Sequence, residues 1–140
     1  MPDVLVASDA QWLCDEIRSV LEGAGTKVHS VGSGAAVLPA VIELLPDLVV
    51  LDFQIGNMGG MATCVDMRLE EGAGRLDPVP VLLLLDRRPD VFMARHAGAE
   101  GWLVKPLDPV RLRRAAAALM GGGTWHDPSY RPEPVTVPPG

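Results

Sequence analysis

The chain has 140 residues, 48% of them hydrophobic, enough for one domain with one core and too apolar for a disordered chain. A net charge of −6 and 4% aromatic residues argue against a phosphate backbone or a stack of bases as the main partner. Two cysteines, Cys14 and Cys64, make neither a disulfide framework nor a metal spacing, and there is neither a leader nor an apolar run of about 18 residues; the expectation is a reduced, cytoplasmic location with no membrane span.

Val4-Leu5-Val6-Ala7 reads as a first strand, followed by Ser8-Asp9, with Asp9 placed to cap a helix beginning at Ala10. Leu13, Ile17, Val20 and Leu21 form one apolar stripe of that helix, which Gly23 and Gly25 stop. Residues 27–31 alternate only partly, as an edge strand does. Ser33 is a candidate cap for a helix carrying Val37, Val41, Leu44 and Leu45, with Pro39 expected either near its first turn or as a kink within it. Leu48-Val49-Val50-Leu51 is apolar throughout, the mark of a central parallel strand buried on both faces, and it runs directly into Asp52. A glycine-rich loop leads to a helix from about Met61 to Glu71, and residues 79–85 supply a second fully apolar strand, broken by residues 86–90. A short helix ends at Gly98, a fifth strand covers residues 101–104, and Lys105-Pro106 closes it. Asp108 caps a last helix with Pro109 at its first position. Gly121-Gly122-Gly123 ends the domain, placed at residues 1–120, and the Gly/Pro-rich remainder, 121–140, reads as an extended or disordered tail.

Five strand–helix units in alternation imply an α/β fold, a parallel sheet with helices on both faces. Asp9, Asp52 and Lys105 then follow the first, third and fifth strands, and neighbouring strands would gather them at the carboxyl edge, where ligands sit in open α/β sheets. Two carboxylates and an ammonium at one rim suit a phosphoryl group with a hard cation: Mg²⁺ needs only one or two carboxylates, an aspartate can attack phosphorus, and a lysine can neutralise the transferred group. Taken singly, Asp9 is an ordinary helix cap, Asp52 a turn cap and Lys105 a solvated loop residue; their joint placement favours the site.

Three stretches in this order resemble the receiver domain of bacterial two-component response regulators: the acidic residue after strand one (Asp9), Leu-Asp-Phe-Gln-Ile-Gly-Asn-Met-Gly-Gly at 51–60, and Ala-Gly-Ala-Glu-Gly-Trp-Leu-Val-Lys-Pro at 97–106. The resemblance covers residues 3 to about 120. It implies a flavodoxin-like (βα)5 three-layer sandwich with a five-stranded sheet in the order 2-1-3-4-5. It also implies Asp52 as phospho-acceptor, Lys105 as phosphoryl-binding lysine, and a cis peptide before Pro106. Mg²⁺ would be held by Asp9, Asp52 and the backbone carbonyl of Gln54, and the partner would be a histidine kinase or another signalling protein.

Departures from the family pattern are informative. Ser8 stands where the family has a second acid, which lowers the expected Mg²⁺ affinity. Leu85 stands where the family places a Thr or Ser whose hydroxyl pulls the next loop inward, and Asp86 follows it. Gly56 replaces a common proline and Gly59 a common aspartate, and the span from Leu85 to Lys105 suggests a trimmed fourth helix. Two readings follow: a stand-alone receiver phosphorylated at Asp52, or a phosphorylation-independent scaffold that keeps the fold. A small flavodoxin-like enzyme is the weaker third, because the rim lacks a second acid–base residue and a Gly-rich phosphate loop. The chain is expected not to be an enzyme beyond self-phosphorylation of Asp52 from a phospho-donor. No DNA-binding domain is expected after Gly123, so signalling would run through protein contacts, as monomer or homodimer. Trp102 with Arg87, Arg88, Arg111, Arg113 and Arg114 is a candidate partner face, because Trp and Arg are enriched at interface hot spots; the plain alternative is a solvated helix face.

Overall fold

The computed structural model describes residues 2–126, apart from residues 24 and 57. Its strands are β1 (Asp3–Ala7), β2 (Lys27–Val31), β3 (Leu48–Asp52), β4 (Val81–Leu85), β5 (Gly101–Val104) and β6 (Trp125–His126). Its helices are α1 (Gln11–Glu22), α2 (Val37–Leu44), α3 (Gly60–Gly72), α4 (Val91–His96) and α5 (Pro109–Met120). All strand pairs are parallel, in the order β2-β1-β3-β4-β5-β6.

The apolar runs are explained by the two helical layers. Every residue of β3 and β4 is buried. Along β3, Val49 and Leu51 point to the layer containing α2, α3 and α4, where they meet Val41, Cys64, Met67 and Ala94. Leu48 and Val50 point the other way, to Leu13, Ile17, Leu112 and Leu119 of α1 and α5. A strand with a helix on each face has no solvent side, so the usual alternation of apolar and polar residues disappears. β2 keeps the alternation because it lies at the edge.

Local signals act as the sequence suggests at several helix starts. The Ser33 side chain accepts from Ala36 N–H in the turn before α2, and the Asp108 carboxylate accepts from Val110 N–H with Pro109 at the first position of α5. Asp9 does not cap α1. The N-cap is Ala10, without a side-chain hydrogen bond, and the Asp9 carboxylate turns instead to the loop after β3.

The sheet has one strand more than expected. Trp125 and His126 pair with Gly101 and Trp102 along the outer edge of β5, so ordered structure continues past residue 120. Most of the expected tail, residues 127–140, lies outside the described residues. His126 stacks on the Trp102 ring with centroids 4.3 Å apart, and the Arg95 guanidinium lies over the same ring. Trp102 is therefore 2% exposed and is not part of an open partner face. Arg87 and Arg88 open the loop to α4, whereas Arg111 and Arg114 lie on α5 in the opposite layer. Arg87 pairs with Asp90 and Arg111 with Asp108.

Behind the sheet's amino end, Arg68 on α3 ties several segments together. Its guanidinium donates to Glu71, Glu100 and the carbonyls of Val79 and Gly98, while Glu100 also accepts from Val81 N–H. This network fixes the starts of β4 and β5, and so the height at which both strands end.

Candidate functional site

Parallel strands in register deliver their last residues to one rim. β3 ends at Asp52, aligned with Leu84 of β4, and Leu85 is aligned with Val104 of β5. Residues 86 and 105 therefore emerge side by side, two positions beyond the level of Asp52, and Lys105 N–H donates to the Leu85 carbonyl to hold the two strand ends together while the lysine side chain reaches back to Asp52. The Lys105-Pro106 peptide is cis.

Asp52 is 3% exposed and is satisfied from three directions. Lys105 Nζ donates to its Oδ1 at 2.8 Å, Gln54 N–H donates to the same oxygen at 3.2 Å, and the Ser8 hydroxyl donates to Oδ2 at 2.8 Å. A buried carboxylate needs such partners, since one left unpaired would be strongly destabilising. Ser8 is itself buried, and its oxygen accepts from Ala10 N–H. It thus occupies the missing acid's place as a neutral donor committed to Asp52.

Lys105 also holds a second carboxylate, Asp86, which in the sequence reads as part of the break after the fourth strand. Its Nζ donates to Asp86 Oδ1 at 3.0 Å. Burial by itself lowers the lysine's pKa, but the hydrogen bonds to Asp52 and Asp86 outweigh it and hold the ammonium above its usual value. The signal for Asp86 lay in the register: adjacent parallel strands that end level put their next residues together.

Asp9 reaches the same rim from β1. Its Oδ2 accepts from Gly56 N–H at 3.1 Å, and Gly34 N–H donates to the Gly56 carbonyl. A proline at 56, as the family commonly has, could not supply that donor. Gly60 allows the return of the loop: a Cβ there would lie 2.7 Å from the Asp52 carbonyl oxygen. The loop also lies against residue 34, where a Cβ would overlap the Met58 carbonyl. Asp9, Asp52 and Lys105 are thus gathered at the carboxyl edge; Leu85, fully buried, contributes only to the core.

Among the described residues no three His, Cys, Asp or Glu side chains gather into a metal cage. The donor set nonetheless fits a hard cation that keeps several waters: two carboxylates, Asp9 and Asp52, with the Gln54 carbonyl in the adjoining turn, all oxygen. With Ser8 neutral, the set carries less negative charge than a full acidic pair. Beside the site, an open apolar hollow of about 600 Å³ is lined by Phe53, Met58, Met61, Val65, Leu69 and Met93. Among the described residues no helix is long and apolar enough to cross a membrane.

Comparison with known proteins agrees with this geometry. A family model described as the response regulator receiver domain matches residues 4–117. The DNA-binding response regulator MtrA of Mycobacterium tuberculosis is 33% identical over 111 residues, covering 78% of this chain and 46% of that protein. The DNA-binding dual master transcriptional regulator RpaA of Synechocystis is 30% identical over 122 residues, covering 86% and 49%. The chain thus spans about half the length of the curated relatives it matches. In fold, it superposes on a putative response regulator from Chloroflexus aurantiacus with a TM-score of 0.79 at 24% identity, covering 86% of this chain and 98% of the other. It superposes on the chemotaxis response regulator CheY4 of Vibrio cholerae with a TM-score of 0.76 at 23% identity, covering 85% and 98%. Five strand–helix units in flavodoxin-like order, with an acidic rim closed by a lysine, thus coincide with a family match over most of the described residues, and the chain belongs to the response regulator receiver domains of two-component signalling.

Proposed function

We propose that Asp52 is the phospho-acceptor of a signalling receiver and that Lys105 binds the transferred phosphoryl group. One observation carries the reading: the Lys105 ammonium lies 2.8 Å from a carboxylate at the carboxyl end of the central strand. An Asp52 oxygen attacks phosphorus, the bond from phosphorus to a donor nitrogen or oxygen breaks, and the electron pair leaves on the donor, which takes up a proton. Lys105 then compensates charge on the equatorial oxygens. Mg²⁺, bound weakly by Asp9, Asp52 and the Gln54 carbonyl, would supply further charge compensation. The proposed donor is a histidine kinase or another phosphorylated signalling protein, met in the cytoplasm. Output is proposed to run through protein contacts, as monomer or homodimer, and the chemistry proposed is self-phosphorylation of Asp52.

The second reading, a phosphorylation-independent scaffold, draws on Leu85, which has no hydroxyl to offer a phosphoryl group, and on both Asp52 carboxylate oxygens being hydrogen-bonded in the unmodified protein. Incubation with acetyl phosphate and Mg²⁺ separates the two. Gain of one phosphoryl group by intact mass, absent in Asp52→Asn, supports the first. An unchanged mass of the folded protein, beside a receiver that is modified under the same conditions, supports the second.

A further inference from the structure

We propose that Asp86 is a positioning residue whose carboxylate, tethered to Asp52 through Lys105, makes the loop from β4 to α4 respond to the charge at residue 52. The proposal deepens the reading of Asp52 as phospho-acceptor and rests on it for its physiological trigger.

One ammonium serves two carboxylates here. Lys105 Nζ lies 2.8 Å from Asp52 and 3.0 Å from Asp86, so the two oxygens it bridges are no more than about 6 Å apart, a range at which like charges repel appreciably within a protein. In the unmodified protein Lys105 offsets that repulsion. A phosphoryl group on Asp52 would carry about two negative charges and draw the ammonium toward itself. Asp86 would then lose its cation and face a larger negative charge. Its side chain is already about one-third exposed, so an outward path to water is open.

What moves with Asp86 is defined by the next turn. Arg87 N–H and its guanidinium both bond the Asp90 carboxylate, and Asp90 is buried. Residues 87–90 are therefore one knot at the start of α4, and a shift at Asp86 is passed to that helix. α4 carries Phe92 and Met93, both exposed, so its displacement changes the apolar surface offered to a partner. The family's hydroxyl at the end of strand four draws this loop inward. Leu85 cannot, and a carboxylate one residue later acts through repulsion in the outward sense.

The test is hydrogen–deuterium exchange of residues 86–91. Phosphorylation with acetyl phosphate and Mg²⁺ is expected to raise exchange there about tenfold in the wild type and to leave the phosphorylated Asp86→Asn variant unchanged. Lys105→Gln, without any phosphorylation, removes the shared cation and is expected to raise exchange similarly; Lys105→Gln/Asp86→Asn returns it to the starting value. If Lys105→Gln leaves residues 86–91 unchanged, or the double variant matches the single one, the proposal is overturned even where Asp52 takes a phosphoryl group. If Asp52 takes none while the two Lys105 variants behave as stated, the coupling stands and the phospho-acceptor reading falls.

Discussion

Replacing Ser8 with aspartate restores the acidic pair that the family usually carries, and in this chain it is expected to destabilise the cation-free protein. The Ser8 hydroxyl donates to Asp52 Oδ2 at 2.8 Å in a buried setting, so Ser8→Ala alone removes a hydrogen bond to a charged acceptor, at a cost of about 1.5–3 kcal/mol. Ser8→Asp loses the same bond and adds a like charge; at about 4 Å and an effective dielectric near 20 the added repulsion is up to about 4 kcal/mol, reduced by Lys105 on the far side of Asp52. The expected totals are about 2 kcal/mol for alanine and about 4 kcal/mol for aspartate. For a domain of this size these correspond to midpoint losses of roughly 7 °C and 14 °C. Thermal unfolding followed by circular dichroism, first with a chelator and then with Mg²⁺, reads both. Mg²⁺ should recover more of the midpoint in Ser8→Asp than in the wild type, because a cation bound only to the folded state stabilises it in proportion to its affinity. A Ser8→Asp protein as stable as the wild type in chelator would refute the role given to the Ser8–Asp52 bond. A loss equal to that of Ser8→Ala would refute the repulsion.

Gly60→Ala would place a Cβ 2.7 Å from the Asp52 carbonyl oxygen and 2.8 Å from the Phe53 Cα, both backbone atoms, and should cost about 1–3 kcal/mol by denaturant titration while slowing phosphorylation of Asp52. The Cys64 thiol, buried against the Ala97 carbonyl, is pushed up to about 11, chiefly by loss of solvation. A folded-state value above the unfolded one means that this contribution is intact below about pH 9 and is lost as pH rises through about 11, at most about 3 kcal/mol; relative to Cys64→Ala, the wild type should lose stability over that window and show no difference in slope below it.

Much of the fold could be read from local pattern. β3 and β4 are recognisable because a strand covered on both sides must be apolar at every position, and α5 because Asp108-Pro109 both caps and opens it. What failed did so for reasons of distance along the chain. Asp9 is spaced like a cap, but its partner is Gly56, brought close only when β1 and β3 pair. Asp86 reads as a strand breaker, and its bond to Lys105 exists because β4 and β5 end level. Trp102 reads as an interface residue from sequence, but β6 lies beside it; two residues carry no period, and their glycine- and proline-rich surroundings resemble a tail. The acidic rim itself was legible because three chemically related side chains fell at three strand ends.

The most direct test of the central claim is to locate the phosphoryl group. After incubation with acetyl phosphate and Mg²⁺, borohydride reduction of the acyl phosphate followed by peptide mapping should convert residue 52 to homoserine in the wild type. Lys105→Gln should show much less conversion, and Asp52→Asn none. Conversion at Asp9 or Asp86 with Asp52 intact, or no conversion in folded protein beside a reactive receiver, would contradict the account.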